Sequence, residues 1–242
     1  MADLYNHNSY VSPLSWRYGS EEMKEIFSEV HKRKLLRRVW IALARAQEKA
    51  GIVTREQVEE LEAHKDDIDI EKATEIESVI HHDLMAEIKT YASQCHKAGG
   101  IIHLGATSMD ALDNADAVRF LEALELTEKR LDDLVDAISE KAEEYKNVPT
   151  MAFTHIQPAE ITTIGYRLSQ TIQDLLDDRE QLDFVKKSIR GKGMKGAVGT
   201  AASYKELLSE SDVSSLDMEE RGMDELGIKA YDAATQIYSR KQ

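Results

Sequence analysis

The sequence predicts an all-α protein: a small N-terminal helical domain over 1–110, then the incomplete start of an elongated long-helix bundle over 111–242. Three observations carry that reading. Proline occurs only 3 times and glycine 12 times in 242 residues, so long stretches contain no helix breaker. Apolar residues recur every seven positions in two long segments. No Val/Ile/Thr/aromatic strand series with hairpin signals interrupts them.

The elements follow in order. Residues 1–19 read as irregular, with Asn, Ser, Gly and Pro13. Ser20 before Glu21 and Glu22 reads as an N-cap with an acidic first turn, opening a helix that runs to about residue 50 and stops at Gly51. Thr54 and Gln57 form a capping-box pattern and start a short helix to about residue 64. A further helix spans 71–97 and ends at Gly99-Gly100. Leu124, Leu131, Ile138 and Tyr145 are spaced by seven, as are Ile161, Leu168, Leu175, Leu182 and Ile189. Such spacing means long helices packed side by side at a shallow angle. At about 30 residues each they would be about 45 Å long. Helices of that length bury their stripes in an elongated bundle, often one shared between subunits.

The composition excludes several partners. A formal charge of −14 repels nucleic acid and anionic membrane. No apolar run approaches the ~18 residues of a membrane span, and no secretory signal is visible. Cys95 is the sole cysteine, which fits a reducing, cytoplasmic compartment.

Five polar segments do not fit a plain bundle. "WRYGS" places Arg17 and Tyr18 before a helix, as a surface loop or as a site. "IHHDLMAEIK" contains His81, His82 and Asp83, which read either as solvated polar groups or as part of a metal-dependent phosphohydrolase set. "GGIIHLGATSMDALDNAD" puts Thr107 and Ser108 at the head of a long helix, either as an N-cap or as an anion-binding start. "RGKGMKGAVGTAAS" sets basic residues among glycines, a helix C-cap and loop that could also bring backbone to a ligand. It lacks P-loop spacing and strand context. "FTHIQPAEITT" places Thr154 and His155 at the mouth of a long amphipathic segment.

Taken in order, "WRYGSEEM", "HHDLMA", "AGGIIHLGATSMDALDNAD", "FTHIQPAEITTIGYR", "KGAVGT" and "TQIYSRK" resemble the adenylosuccinate lyase family of the fumarase/aspartase/argininosuccinate lyase superfamily. The resemblance covers essentially the whole chain. It implies β-elimination of fumarate from adenylosuccinate, giving AMP, and from the succinyl-aminoimidazole carboxamide ribotide SAICAR, giving AICAR, in purine biosynthesis. It implies no metal or organic cofactor. It implies a homotetramer with active sites assembled from three subunits.

The site roles also come from the resemblance. His155 matches the general acid, with Thr154 beside it. His82 and Asp83 match a substrate-binding pair whose His is also a catalytic helper. Thr107 and Ser108 match the grip on the succinyl or phosphate end. Arg17 and Tyr18 match a phosphate clamp, and Gln236 a substrate-binding glutamine. Lys195 lies in a matching loop as a possible contact. His81 is a further substrate-side candidate that stands where relatives often have Arg. The family's base is a serine on a glycine- and serine-rich loop downstream of "YSRK", and this sequence stops at Gln242 before it. The expectation is therefore the first half to two-thirds of an enzyme, with little or no lyase activity alone. The competing readings are a helical assembly module and a related fumarate-releasing lyase acting on a substrate such as argininosuccinate.

Overall fold

A computed structural model describes residues 7–12 and 14–239. Residues 1–6, Pro13 and the Arg240-Lys241 end of the terminal motif lie outside the described residues. The chain forms two compact units. One combines the chain up to Leu121 with the chain from Ile189 onward, and the other is Glu122–Ser188. This differs from the division expected after residue 110. Side chains in the first two turns of the long helix grip the segment after Ile189 and draw it back into the first unit.

The first unit opens with α1 (Ser15–Tyr18), α2 (Glu21–Ile26) and α3 (Glu29–Lys49). The sequence predicts one helix over 20–50, but the structure breaks it at Phe27-Ser28. Ser28 adopts extended backbone and its hydroxyl accepts from the His31 N–H, so it caps a new helix. α3 is the core helix: Leu35, Leu36, Val39, Trp40, Leu43 and Ala46 are all buried. Each such leucine contributes about 1.5–3 kcal/mol by burial. α4 (Arg55–Ala63) begins with the predicted Thr54–Gln57 capping box and packs on α3.

The helix expected over 71–97 is two helices, α5 (Ile70–Ile80) and α6 (Asp83–Gln94), packed on each other. His81 ends α5 in the left-handed region at φ 54°, and His82 caps α6. The adjacent histidines therefore sit at a helix junction, not on one helix.

α7 (Ser108–Glu144) runs for 37 residues, about 55 Å, and α8 (Ile164–Ser188) for 25. α7 is longer than its heptads predict because it begins at Ser108, thirteen residues before Leu121. Between them the structure adds a feature the sequence reading missed. The strand β1 (Pro149–Thr154) pairs antiparallel with β2 (Gln157–Thr163) in a hairpin. In the second unit, Gly165 is the one buried residue among 122–188. The heptad residues Leu124, Leu131, Leu168 and Leu175 are only half-buried.

The chain then completes the first unit. β3 (Arg190–Gly191) pairs in parallel with β4 (Lys229–Ala230), and α9 (Ala202–Leu207) and α10 (Ser215–Leu226) lie between them in sequence. α10 packs on α3. Leu43, Ala46, Met194, Tyr204, Leu208 and Met218 form one apolar cluster. Among the described residues no helix is long and apolar enough to cross a membrane.

Candidate active site

The start of α7 is the most heavily constructed part of the first unit. The turns before it carry His103, Leu104 and Gly105, and three side chains hold them. Trp40 Nε1 donates to His103 Nδ1 at 3.0 Å, Gln47 Nε2 to the Leu104 carbonyl at 2.8 Å, and Ser203 Oγ to the Gly105 carbonyl at 2.6 Å. Gly105 has φ +77°, and an added Cβ would lie 2.7 Å from Leu207 Cδ1, so glycine alone fits that turn. Thr107 and Ser108 follow, both half-buried. The early N–H groups of a helix lack intrahelical partners and face an anion favourably.

Asp110 closes this turn from inside. It is 2% exposed, and its Oδ2 accepts from the Thr107 N–H at 3.1 Å. The same carboxylate accepts from Lys192 Nζ, from the N–H groups of Lys195 and Gly196, and from the Tyr204 hydroxyl at 3.0 Å. Burial, then the Asp110 charge, raises the Tyr204 pKa well above its ordinary value, so the proton stays on the phenol. Lys195 is also buried, and its ammonium donates to Glu219. That turns the Lys195 head group into the protein and makes it a support of the loop.

His82 and Asp83 lie at the start of α6. The Met85 N–H donates to His82 Nδ1 at 3.2 Å, which leaves Nε2 as the proton-bearing nitrogen of the neutral ring. Asp83 Oδ1 is 3.8 Å from that Nδ1, and both side chains are largely exposed. Burial lowers the His103 pKa, with the Asp110 charge opposing and His82 adding to the fall. Among the described residues, no group of three or more His, Cys, Asp or Glu is placed to hold a metal ion.

The remaining candidates are more open. Arg17 and Tyr18 end α1, and Tyr18 is 75% exposed. Gln236 is exposed in the segment after β4, which is anchored on both sides. The Tyr238 N–H donates to Asp113 at 3.0 Å. Gly199 approaches so closely that an added Cβ would meet the Ala234 carbonyl at 1.8 Å.

Thr154 and His155 belong to the second unit, at the tip of the β1–β2 hairpin. Thr154 pairs with Gln157, so His155 and Ile156 form a two-residue turn, at φ 49° and 63°. Asn-Gly normally supplies such a turn. Holding a β-branched residue there costs about 1–3 kcal/mol. His155 is exposed and Ile156 is 91% exposed, so the strain serves no packing within the unit.

The first unit thus gathers Thr107, Ser108 and Lys195 around Asp110, and the Gln236 segment joins the same framework. His155 and Thr154 are carried on a different unit. Sequence reasoning missed His103 and gave Asp110, Lys192 and Tyr204 no role. His103 stood within the quoted motif. The other three have partners more than eighty residues apart in the chain, which no local pattern reveals.

Adenylosuccinate lyase of Saccharomyces cerevisiae is 36% identical over 241 residues, covering 98% of this chain and 50% of that protein. The Schistosoma mansoni adenylosuccinate lyase is 38% identical over 235 residues, covering 96% and 49%. The chain thus spans about half the length of the curated relatives it matches. Among solved structures, the 3-carboxy-cis,cis-muconate lactonizing enzyme of Pseudomonas putida superposes with a TM-score of 0.76 at 24% identity, over 91% of this chain and 50% of that one. The fumarate lyase of Mesorhizobium sp. BNC1 gives 0.76 at 22%, over 89% and 50%. These two establish a shared fold. A family model described as lyase matches residues 17–240, from the Arg17 end of α1 through the α7 turn and the hairpin to the terminal motif, and the chain belongs to that lyase family.

Proposed function

We propose that this chain supplies part of an adenylosuccinate lyase, which eliminates fumarate from adenylosuccinate to give AMP and from SAICAR to give AICAR. The observation that carries this reading is the match of nearly the whole chain to curated adenylosuccinate lyases at 36–38% identity. The α7 turn supports it, because its hydroxyls and helix N-terminus suit a carboxylate.

In the step, a base takes the proton from the carbon next to the C–N carbon. The C–H electrons form the double bond of fumarate. The C–N bond breaks, and its electron pair leaves with nitrogen, which accepts a proton from His155. An imidazole exposed on a hairpin tip suits that donation. Thr107 and Ser108 hold the succinyl carboxylate, where negative charge builds as the proton leaves. His82 presents Nε2–H to the substrate because its Nδ1 already accepts from Met85. Asp83, His81, Thr154 and Gln236 contact the substrate around it. Arg17 and Tyr18 hold the phosphate, for which a guanidinium fork is well shaped. The base is assigned to no residue of this chain.

The active assembly is a homotetramer in the cytoplasm, in which His155 of one copy serves a site built from the first units of others. The near absence of buried residues in 122–188 supports association, since so open a unit needs further apolar cover.

The test is fumarate release from adenylosuccinate by this chain mixed with the half of the Saccharomyces relative that it does not match. Release that a His155→Ala change abolishes is the expected result. Release from argininosuccinate instead would move the chain to another substrate, and release unaffected by His155→Ala would remove His155 as the acid.

A further inference from the structure

One carboxylate offers about four lone-pair positions, and Asp110 receives five donors. They come from three places in the chain. Thr107 lies in the turn that opens α7. Lys192, Lys195 and Gly196 belong to the glycine-rich loop, and Tyr204 to α9. The neighbouring positions of α7 add to the hold. Asn114 exchanges two hydrogen bonds with Gly193, accepting from its N–H at 3.0 Å and donating to its carbonyl at 3.2 Å. Gly191 has no room for a side chain, since a Cβ would lie 2.4 Å from Asn114 Oδ1. The charges close locally: Lys192 sits on Asp110 and Lys195 on Glu219, all four buried.

A buried ion pair can often be replaced by apolar residues without loss of stability. An apolar pair cannot accept three backbone N–H groups from two separate segments. That capacity is what distinguishes this carboxylate from a simple charge partner for Lys192.

We propose that Asp110 is a positioning residue, whose carboxylate fixes the Thr107–Ser108 turn and the 192–196 segment in one arrangement before any ligand arrives. The functional meaning rests on the reading that Thr107 and Ser108 hold the substrate carboxylate. The arrangement itself is measured without substrate, so failure of one idea is distinguishable from failure of the other.

The experiment is amide hydrogen exchange on this chain, read by mass spectrometry, with each peptide compared to the α3 peptide of the same variant. Asp110→Asn should raise exchange in 101–109 and 192–200 by about tenfold or more, with α3 unchanged, since hydrogen bonds to a charged group are the stronger ones. Asp69→Ala, which removes the exposed N-cap of α5 in the same unit and does not touch α3, should show no such local rise. The double change Asp110→Asn with Lys192→Met removes the unpaired buried ammonium. It should move the unfolding midpoint back toward wild type yet leave 101–109 fast. Protection restored by the double change would overturn the proposal, because Asp110 would then be only one half of an ion pair. So would wild-type protection of 101–109 in Asp110→Asn. Should Asp110→Asn fail to fold, Tyr204→Phe removes one donor and keeps the ring. A smaller rise confined to the same two segments supports the proposal, and an unchanged or uniform pattern overturns it.

Discussion

The indole N–H of Trp40 donates to Nδ1 of His103 at 3.0 Å, with the two rings nearly perpendicular. An accepting Nδ1 carries no proton, so His103 is neutral in the fold with its hydrogen on Nε2. Burial holds its pKa below the ordinary 6.5. The unfolded chain therefore binds the His103 proton more readily than the folded one does. This contribution is complete above about pH 6.5 and is lost as pH falls through the folded-state value. Thermal unfolding between pH 7.5 and 5 should show the loss, and His103→Gln should flatten that part of the profile. An equally steep profile in His103→Gln would assign the pH dependence to other groups.

Glu87 lies between two arginines. Its carboxylate accepts from Arg33 at 2.6 Å and from Arg37 Nε at 3.1 Å, with Arg37 and Glu87 almost wholly buried. Arg37 also stacks over Tyr91 at 4.3 Å. Glu87→Gln leaves buried guanidinium charge without a counter-charge and should cost about 3–5 kcal/mol. The urea midpoint measures this, and a shift worth under about 1 kcal/mol would place the pair in the class of solvated surface bridges.

Gly199 and Gly51 both have positive φ, +84° and +78°, yet their surroundings differ. A Cβ at Gly51 meets nothing within 4 Å, whereas one at Gly199 meets the Ala234 carbonyl at 1.8 Å. Gly51→Ala should cost only the backbone term, about 1–2 kcal/mol. Gly199→Ala should cost more and push out the segment that carries Gln236. Faster tryptic cleavage after Lys229 in Gly199→Ala, but not in Gly51→Ala, is the expected signature.

Phe184 and Ile161 are 74% and 76% exposed in a unit with almost no interior. Sedimentation of the chain should show a mass above the monomer that rises with concentration. Phe184→Asp with Ile161→Asp should return it toward the monomer. A monomer at all concentrations would count against the shared bundle.

The parts of the fold legible in the sequence are those fixed by neighbours in the chain. Ser20 and the Thr54–Gln57 box mark helix starts because cap and partner are three residues apart. The heptads of α7 and α8 show because their period is internal. The break at His81 escaped because its cap is an imidazole nitrogen, not one of the usual Ser, Thr, Asp or Asn oxygens. The hairpin escaped because its turn is His155-Ile156 where Asn-Gly is the expected signal, and Pro158 argues against a strand. The candidate site was legible as motifs but not as a framework, because Asp110 and Asp113 find their partners 82 and 125 residues later.

The first unit is interrupted, since 122–188 lies between its two stretches of chain. On the ribosome, α3 to α6 emerge long before the glycine-rich loop and α9 can cover the Asp110 carboxylate. Lys192, Tyr204 and Tyr238 are made only after the whole inserted unit. Until then Asp110 lacks four of its five donors, those of Lys192, Lys195, Gly196 and Tyr204. Closing that gap means bringing together ends about eighty residues apart, an entropic cost that grows slowly with length. Nascent chains paused before residue 190 should therefore expose the 101–109 segment to proteases, and the same segment should become protected once Tyr238 has left the exit tunnel.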